Sequence, residues 1–486
     1  MKIFQKSLVK TLHYCVQTRR AMSLVQTRRA TSLVQTRRAT SLLCALALTT
    51  FAANAQTNMT AQQWVANVKI GWNLGNTLDT HNARFGTMEE DKCNGDPVYF
   101  ETLWENPVTT KAMITAVKDA GFNAIRIPVT WYKAADKDFN IAPEWMARVT
   151  EVVDYAVEND MYIVLDSHHD EYIFKFTEAE KKQSLYAFGK IWEQIADNFK
   201  DYDEKLVFDA LNEPRTIGSD AEWNGGTAEE KRVLNEYYQI FVDVVRASGG
   251  NNDKRILVIT PYGASASVWD NGMAMNALEL PEDVVPNKLI VSYHNYSPGG
   301  FTFDADWTAN VCTWSRIVYD TWEITTPIDN YFAKFVNNGI PVIIGEFGAV
   351  DKDNEEQRAD WADFYVKYAT NKGIKCFWWD NGLATDGVFA LLNRYDLTFY
   401  FPEIVKALLG TYSVNAVETW RAASLQVYPN PTTGIVNTSE PSEIKVYNSF
   451  GALIITTFGT QVDLSAYPQG VYQLHINGDV VKVVRK

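Results

Sequence analysis

The stretch Leu-Val-Phe-Asp-Ala-Leu-Asn-Glu-Pro, residues 206–214, begins as a β-rich apolar run and ends abruptly in polar residues. The same pattern recurs from residue 60 to about residue 410, where it alternates with amphipathic stretches. Strands that alternate with helical patterns are typical of βα units and a parallel sheet, and continuous apolar runs fit strands buried on both faces. The predicted strands are Val68–Asn73, Ala124–Val129, Tyr162–Ser167, Leu206–Leu211, Ile256–Thr260, Leu289–Tyr293, Val342–Gly345 and Lys375–Trp379.

Helical patterns separate these strands, and several of them end at a glycine, as at Gly121 and Gly373. Eight strands joined in this way predict an α/β fold, a closed (β/α)8 TIM barrel, which occupies ~250 residues or more as a single domain. The predicted helices include Thr109–Ala120, Glu144–Asn159, Glu178–Asn198, Ala228–Ala247 and Gln357–Asn371.

Polar or aromatic residues follow nearly every predicted strand at the same relative position. In barrel enzymes the active site is built from the C-terminal ends of the strands and from the loops that follow them. We therefore expect these side chains to line one cleft. They are Asn73 to Asn76, Arg126, His168-His169-Asp170, Asn212-Glu213, Tyr262, His294, Tyr296, Glu346 and Trp378-Trp379-Asp380-Asn381.

Two of these residues, Glu213 and Glu346, are carboxylates at the mouths of the fourth and seventh predicted strands. Strands three apart around an eight-stranded ring lie on opposing walls, so their inward side chains can face each other. A retaining glycosidase needs two carboxyls about 5 Å apart, one protonated as the acid and one ionised as the nucleophile. Burial and a like-charged neighbour would supply the raised pKa that the acid needs. A buried ion pair explains either glutamate alone, but it explains this pair poorly.

The neighbouring residues suit supporting roles around such a pair. Arg126 is expected to hold Glu346 ionised, and Asn212 to bind a substrate hydroxyl in the transition state. Flat apolar faces of sugar rings pack well on aromatic rings, which suits Trp379. His168, His294 and Tyr296 are expected to position or polarise the pair. Each of these residues, taken alone, is also explained by core packing.

Seven motifs carry a resemblance to a known family. They are Gly71-Trp-Asn-Leu-Gly-Asn-Thr-Leu-Asp79, Gly121-Phe-Asn-Ala-Ile-Arg-Ile-Pro128, Asp166-Ser-His-His169, Leu211-Asn-Glu-Pro214, His294-Asn-Tyr296, Ile344-Gly-Glu-Phe-Gly348 and Phe377-Trp-Trp-Asp-Asn381. In this order, over roughly residues 59–411, they resemble glycoside hydrolase family 5, most closely its endoglucanase and xyloglucanase branch. The resemblance implies that Glu213 is the acid/base and Glu346 the nucleophile. It also implies active-site positions at Arg126, His168, Asn212, His294, Tyr296 and Trp379.

Further residues are expected to bind substrate in such a cleft. They are Asn76, Trp104, His169, Trp379 and Asn381, of which His169 matches only some branches of the family. The segment Asn82–Tyr99, which precedes Glu101-Thr-Leu-Trp104, is longer than is usual in this branch. Its effect on the glycone side of the cleft stays open.

The resemblance implies an endo-acting β-1,4-glucanase that needs no cofactor. Cellulose-type and mixed-linkage glucans are expected first as substrates, xyloglucan next and mannan last. A metal-dependent barrel hydrolase is an alternative, because His168-His169-Asp170 offers ligands at a strand end. Such sites usually draw further histidines from other strands, and six histidines in the whole chain make that supply small, so no metal is expected. A non-catalytic sugar-binding barrel would be expected to lack one of the two glutamates.

The first 55 residues differ from the rest of the chain. They hold nine Lys or Arg, no Asp or Glu, and a repeat in which Val16-Gln-Thr-Arg-Arg recurs from Val25 and from Val34. An apolar run, Leu42 to Phe51, then leads to Ala53-Asn-Ala55, which predicts a secretory signal peptide over residues 1–55. Its removal takes the net charge from −14 to about −23, which argues against nucleic-acid binding and favours a neutral substrate.

The composition changes again after the predicted barrel, residues 56–411. Residues 412–424 are predicted as a linker, and residues 425–486 as a small β-sandwich of short strands and turns. Tyr428-Pro-Asn-Pro431, Lys445-Val-Tyr-Asn-Ser-Phe-Gly451, Gly470-Val-Tyr472 and the basic end resemble the sorting domain of type IX secretion. That resemblance implies contact with the secretion machinery and a protein that is secreted or attached to the bacterial cell surface. A carbohydrate-binding module is the alternative for this tail.

Three cysteines remain after the predicted leader, Cys93, Cys312 and Cys376. An odd count and the lack of CxxC spacing exclude a full disulfide framework and a cysteine metal site. Pairing of Cys93 with Cys312 stays open, and the protein is expected to be a monomer.

Overall fold

The structure is a computed structural model that describes residues 58–81, 96–170, 172–268, 270–303, 311–382, 388–412, 427–449, 451–476 and 479–486. The predicted signal peptide, Cys93, most of the segment Asn82–Tyr99 and most of the linker lie outside the described residues. Predictions that concern those parts therefore stay predictions.

Eight parallel strands close into a barrel in chain order, and the last strand pairs with the first. The predicted (β/α)8 barrel is therefore confirmed, with each strand within a few residues of its predicted place. The strands are β1 Gly71–Leu74, β2 Ala124–Ile127, β3 Tyr162–Asp166, β4 Leu206–Asp209, β5 Leu257–Ile259, β6 Leu289–His294, β7 Val342–Phe347 and β8 Lys375–Asp380.

Helices surround this sheet, and their beginnings follow the capping residues. Thr227 forms a capping box with Glu230, so the helix that follows has both of its predicted ends. Thr177 and the next three residues form a turn instead of the predicted first turn of a helix. The helices are α1 Ala61–Asn67, α2 Pro97–Glu101, α3 Lys111–Ala120, α4 Pro143–Glu158, α5 Lys181–Phe199, α6 Ala228–Ala247, α7 Met273–Ala277, α8 Gly299–Thr302, α9 Val318–Lys334, α10 Glu355–Asn371 and α11 Pro402–Leu408.

The barrel interior begins with an apolar layer. Ala124, Val164, Val207, Ile343 and Phe377 belong to one buried cluster, together with residues of α1. A second and larger cluster lies between the strands and the outer helices. Successive side chains of a strand alternate between the two faces, so the residues two positions further along each strand also point into the barrel.

The next inward layer is polar. Asn73, Arg126, Asp166 and Asp209 each lie two residues after a position of the apolar layer or its equivalent in β1, and all four are buried. A buried charge must be paired or neutralised, so this layer is under a strong constraint to form contacts with itself. This polar layer supports the catalytic candidates at the C-terminal ends of the strands.

The C-terminal region is all β, as predicted. One antiparallel sheet has the order β11-β10-β12-β13, and β9 also pairs with β10. Its buried face consists of Val436, Ile444, Val446, Val462, Leu464, Tyr472, Leu474, Ile476 and Val483. The strands are β9 Val427–Tyr428, β10 Ile435–Tyr447, β11 Leu453–Asp463, β12 Gly470–Ile476 and β13 Asp479–Arg485.

Among the described residues, none of the helices combines the length and the apolar character that a membrane crossing requires.

Candidate active site

Arg126 is the centre of the polar layer. Its Nη1 lies 2.7 Å from Oε1 of Glu346, its Nη2 lies 2.7 Å from Oδ2 of Asp166, and its Nε lies 3.6 Å from Oδ2 of Asp209. Burial disfavours a charged guanidinium, but the three carboxyls around it more than compensate and raise the pKa of Arg126. The site therefore contains one permanent positive charge among three acids.

The three acids do not share that charge equally. Burial raises the pKa of Asp166 to about 6, against the pull of Arg126. Burial also raises the pKa of Asp209 well above its usual range, and the charge of Asp166 raises it further. Asp209 therefore favours its neutral form. Glu346 lies against Nη1 of Arg126, whereas Asp166 lies against Nη2.

Two asparagines complete the contacts of Arg126. Asn73 accepts from Nη1 at 3.1 Å and uses its amide group to donate to Gly345 O at 3.0 Å across the barrel. Asn212 accepts from Nη2 at 2.8 Å through its Oδ1. This contact engages Oδ1 of Asn212 and leaves Nδ2 as the hydrogen-bond donor of the side chain.

A bulge aims Glu346 into the cleft. Tyr293 pairs with Ile344, but the next residue of β6, His294, pairs with Glu346, so Gly345 is the extra residue. A side chain at Gly345 would lie 2.6 Å from Oγ of Ser292, which leaves room only for glycine. Without this shift Glu346 would continue the alternation from Ile343 and point away from the interior.

Glu346 also accepts a hydrogen bond from a phenol. The hydroxyl of Tyr296 donates to Oε2 of Glu346 at 2.8 Å. Burial raises the pKa of Tyr296 well above its usual range, and the neighbouring charge of Glu346 raises it further, so the phenol stays protonated. Each oxygen of Glu346 therefore faces a different donor, Arg126 on one side and Tyr296 on the other.

Glu213 follows β4 and meets Glu346 across the cleft. One carboxylate oxygen of each glutamate and a ring nitrogen of His294 lie within 4.8 Å of one another. His294 Nδ1 is 2.9 Å from Oε1 of Glu213 and 3.6 Å from Oε2 of Glu346. Arg215 Nη1 lies 3.5 Å from the other oxygen of Glu213.

The protonation of Glu213 differs from what the sequence suggested. Burial raises its pKa, but the hydrogen bond and the charge of His294, with help from Arg215, outweigh burial and lower it. The expectation of a raised pKa considered burial and the second carboxyl and missed His294 as a direct partner. The contact with His294 therefore favours the ionised form of Glu213.

Aromatic rings form one wall of the cleft. The rings of His168 and Trp379 are stacked, with centroids 5.6 Å apart and planes 3° apart. Asp166 Oδ2 lies 2.9 Å from His168 Nδ1 and fixes the ring from behind. The indole of Trp379 packs against Gly75, where an added Cβ would lie 2.7 Å from Cζ2.

A second ring cluster continues this wall. His81 lies 4.8 Å from His169 and 5.2 Å from Trp104, measured between ring centroids, and Tyr172 is 5.5 Å away on the same scale. Trp104 Nε1 donates to the backbone oxygen of His81 at 3.0 Å. Two predicted residues, His169 and Trp104, are thus joined by His81, which the sequence did not single out.

Asn76 and Asn381 lie at the junction of the first and last strands. The side-chain amide of Asn106 donates to the backbone oxygens of both, at 2.8 Å and 3.0 Å. Asn381 Oδ1 also accepts from Phe389 N at 3.1 Å. The structure gives neither residue a direct contact with the two glutamates, so a role in substrate binding stays a prediction.

Asp79, His168 and His169 form a second group that could hold a metal ion, with ligand atoms within 4.8 Å of one another. Hydrogen bonds already engage this group. The oxygens of Asp79 accept from Thr77 N at 2.6 Å and Asn76 N at 3.0 Å, and Nδ1 of His168 meets Asp166. These contacts suit a hydrogen-bonded wall of a cleft.

Several site residues were not recognised from the sequence as functional. Asp166 stood in a recognised motif, and Arg215 directly follows Asn212-Glu213-Pro214, so both had a signal nearby. Asp209 lies inside an apolar run, where an acid is a signal in itself. His81 stands in a loop, and only the folded chain relates it to the cleft.

The barrel has relatives among known proteins. Residues 88–385 match the family described as cellulase, glycosyl hydrolase family 5. Endoglucanase A of Clostridium longisporum is 40% identical over 361 residues, which cover 74% of this chain and 67% of that protein. The cellulase/esterase CelE of Acetivibrio thermocellus is 42% identical over 357 residues, 72% of this chain and 40% of that protein.

Solved structures extend the likeness. A broad-specificity endoglucanase from Ruminococcus champanellensis with bound cellotriose has a TM-score of 0.67 and 39% identity. The match covers 73% of this chain and 100% of that protein. A lichenase from Caldicellulosiruptor sp. F32 has a TM-score of 0.67 and 37% identity, with coverage of 74% and 96%.

The tail has its own match. Residues 426–486 correspond to a secretion system C-terminal sorting domain, which confirms the prediction of a type IX sorting tail over that of a carbohydrate-binding module. The protein is accordingly secreted or attached to the bacterial cell surface. On its barrel, its motifs and its relatives, the chain belongs to glycoside hydrolase family 5.

Proposed function

We propose that Glu213 is the acid/base and Glu346 the nucleophile through which this enzyme cleaves glucan. The chain is an endo-β-1,4-glucanase that retains configuration, as its family and relatives do. The observation that carries the assignment is the approach of the two carboxylates to within 4.8 Å. Retaining enzymes hold the pair about 5 Å apart, whereas inverting enzymes leave room for a water between carboxyls roughly 6.5–9.5 Å apart.

In the first step Glu346 attacks the anomeric carbon while the bond to the leaving oxygen breaks. Glu213 gives its proton to that oxygen, and a covalent glycosyl-enzyme forms. Arg126 and Tyr296 orient Glu346 for the attack, since each donates a hydrogen bond to one of its oxygens. Asn212 turns its Nδ2 toward the substrate 2-hydroxyl.

In the second step Glu213, now ionised, takes a proton from water as the water attacks the anomeric carbon. The bond to Glu346 breaks and the sugar leaves with its original configuration. The proton taken from water restores the acid form of Glu213 for the next cycle. His294, whose Nδ1 lies 2.9 Å from Oε1, orients the Glu213 carboxyl in both steps.

The aromatic wall supports binding of sugar units on the glycone side. We propose that His168 and Trp379 form the stacking surface next to the reaction centre, with His169 and Trp104 further along. Asn76 and Asn381 complete this end of the cleft.

Substrate choice is the finer part of the proposal. One similar structure is a lichenase, and another, at 39% identity and a TM-score of 0.64 with coverage of 71% and 97%, is described as a xyloglucan-specific endo-β-1,4-glucanase. We propose cellulose-type and mixed-linkage glucans as the main substrates, xyloglucan next and mannan last. Reducing-sugar release from a panel of these soluble polysaccharides orders them, and mannan in first place would refute the ranking.

The domain limits and the oligomeric state are also proposals. We propose a catalytic domain at 56–411, a linker at 412–424 and the sorting tail at 425–486, acting as a monomer. Acidic character and a neutral polysaccharide substrate support a protein that does not bind nucleic acid.

The decisive experiment combines product stereochemistry with two variants. NMR of the first product should show the retained β-anomer. Glu346→Gln should lose activity on glucans and on aryl cellobiosides alike, by about 10⁴-fold or more. Glu213→Gln should lose glucan hydrolysis but still release an activated aryl group, which needs little protonation. An inverted product, or the opposite response of the two variants, overturns the assignment, and loss of activity in a chelator would favour the metal-dependent alternative.

A further inference from the structure

An exposed tryptophan lies in the loop that follows the acid/base. Trp223 shows 54% of its surface to solvent, although it is the largest apolar side chain of that loop. One face of its indole is covered by Arg215, whose Cζ lies 4.4 Å from the ring centroid. An arginine held over an indole is a favourable cation–π contact that fixes the orientation of the ring.

Arg215 connects this indole to the acid/base. Its Nη1 donates to the backbone oxygen of Glu213 at 2.9 Å and lies 3.5 Å from the carboxylate oxygen Oε2. Its Nε donates to Oε1 of Glu222 at 3.1 Å. The planar guanidinium of Arg215 thus contacts Glu213 through its edge and Trp223 through its face.

The loop that carries Trp223 is well ordered by its own contacts. Oε2 of Glu222 accepts from Gly218 N at 2.7 Å, and Thr216 N donates to the hydroxyl of Tyr262 at 2.9 Å. Gly263 N donates to Pro214 O at 2.8 Å, which joins the loop to the end of β5. A surface fixed before binding costs little ordering entropy when a ligand arrives.

We propose that Trp223 is the stacking platform for the departing part of the glucan chain and determines the preference for that leaving group. The inference rests on the proposed function, because an acid/base directs its proton at the leaving oxygen. Trp223, which Arg215 links to Glu213, is therefore assigned to the leaving-group side of the broken bond. Sugar rings of a β-1,4-glucan present apolar faces that fit an exposed indole.

The test compares two substrates that differ in their leaving group. Cellohexaose has sugars in its leaving group, whereas an aryl β-cellobioside has none. Trp223→Ala should lower kcat/KM for cellohexaose roughly three- to tenfold, the range of a single aromatic contact, and leave the aryl substrate unchanged. Trp223→Phe should recover part of the loss. The control is Tyr186→Ala, since Tyr186 is 60% exposed on α5 and is expected to leave both substrates unchanged.

A second measurement uses the reverse direction of the same subsite. With an aryl cellobioside as donor and cellobiose as acceptor, a sugar hydroxyl replaces water, gives its proton to Glu213 and attacks the anomeric carbon held by Glu346. Trp223→Ala should lower the ratio of transfer to hydrolysis, because the acceptor must bind on the leaving-group side.

The outcomes separate this inference from the proposed function. Equal loss on both substrates, no loss on either, or an unchanged transfer ratio would overturn the platform. An inverted product from the wild-type enzyme would instead overturn the proposed function. Thermal midpoints of the variants show whether any loss reflects unfolding.

Discussion

The two catalytic walls hold their glutamates in unlike surroundings. On the β7 wall the Glu346 side chain is 7% exposed, and it is held by Arg126, which is fully buried, and by Tyr296. On the β4 wall the Glu213 side chain is 20% exposed, and its closest partner is His294, which can give or take a proton. The β7 wall, which carries the permanent charge of Arg126, is therefore more deeply buried than the β4 wall. We call the β4 wall, where His294 contacts Glu213, the titrating wall.

This difference matches two chemical tasks. A nucleophile must carry its negative charge when it attacks and when the glycosyl bond to it breaks again, and a permanent cation and a donating phenol stabilise that charge. An acid/base must gain and lose a proton in every turnover, which a titratable neighbour makes easier than a fixed charge would. Two glutamates that look equivalent in sequence thus become unequal through the groups around them.

The largest expected effect comes from removal of the permanent charge. Arg126→Ala leaves Asp166 and Glu346 buried without their cation, and loss of one partner of a buried ion pair costs about 3–5 kcal/mol of unfolding free energy. Without its cation Glu346 is also a poorer nucleophile, so kcat should fall about 10³-fold. Denaturant unfolding and kinetics on carboxymethylcellulose measure the two effects.

A buried arginine outside the polar layer is the matched control. Arg148 pairs with Glu101 at 2.8 Å, with its side chain 8% exposed. Arg148→Ala should lose comparable stability while the folded fraction keeps its kcat. If both variants keep kcat alike, Arg126 acts only in folding.

A smaller loss is expected at the phenol on the same wall. Tyr296→Phe removes one charge-assisted hydrogen bond to Glu346, worth roughly 1.5–3 kcal/mol, so kcat should fall about 10- to 100-fold with little change in stability. Tyr365→Phe is the control, because its hydroxyl donates to the neutral backbone oxygen of Asn295 at 3.1 Å. Equal kcat values in the two variants would remove Tyr296 from the support of the nucleophile.

Sequence patterns predicted the barrel fold and the positions of both glutamates at strand ends, because these depend on local features of the chain. An apolar run that ends in a polar residue is visible in the chain, and eight such runs define the ring. The aim of Glu346 was harder, since plain alternation from Ile343 turns it outward and only the bulge at Gly345 turns it inward. The His294–Glu213 contact joins residues 81 positions apart, and its effect on pKa needs a distance that a sequence does not contain.

The next effect concerns the titrating wall and appears in the pH profile. His294 lowers the pKa of Glu213, and burial raises it. In His294→Gln burial is opposed mainly by Arg215, so the pKa of Glu213 rises. The acid form exists below that pKa, hence the alkaline limb of kcat/KM should move upward, by roughly one pH unit, the usual spread of carboxyl values.

The control for this shift is a histidine in the tail. His475 lies in β12 beside Tyr447, and His475→Gln should leave the pH profile unchanged. An alkaline limb that stays in place, or moves downward, in His294→Gln would mean that another group than Glu213 sets it.

The smallest effect is expected at Asp209, which lies on the strand of the titrating wall but faces Arg126. Burial holds its pKa well above the usual range, which favours the neutral form, so Asp209→Asn replaces a neutral carboxyl with a neutral amide of the same shape. A raised pKa in the folded state means that wild-type stability falls as pH rises above the unfolded value of about 3.9. The variant lacks that decline. Its unfolding free energy should lie within about 1 kcal/mol of the wild-type value at pH 5, and by pH 8 the variant should have become more stable relative to wild type.

Asp166→Asn is the matched comparison, because Asp166 lies 2.7 Å from Arg126 and burial raises its pKa only to about 6. At pH 8 Asp166 is ionised, so Asp166→Asn removes a negative charge from the carboxyls around Arg126. This change should cost stability and activity, whereas Asp209→Asn should cost neither. Urea unfolding of both variants at pH 5 and pH 8 makes the comparison. If Asp209→Asn loses as much stability as Asp166→Asn at pH 8, then Asp209 is ionised in the folded protein. Permanent charge would then extend onto the β4 wall as well, and the contrast between the two walls would disappear.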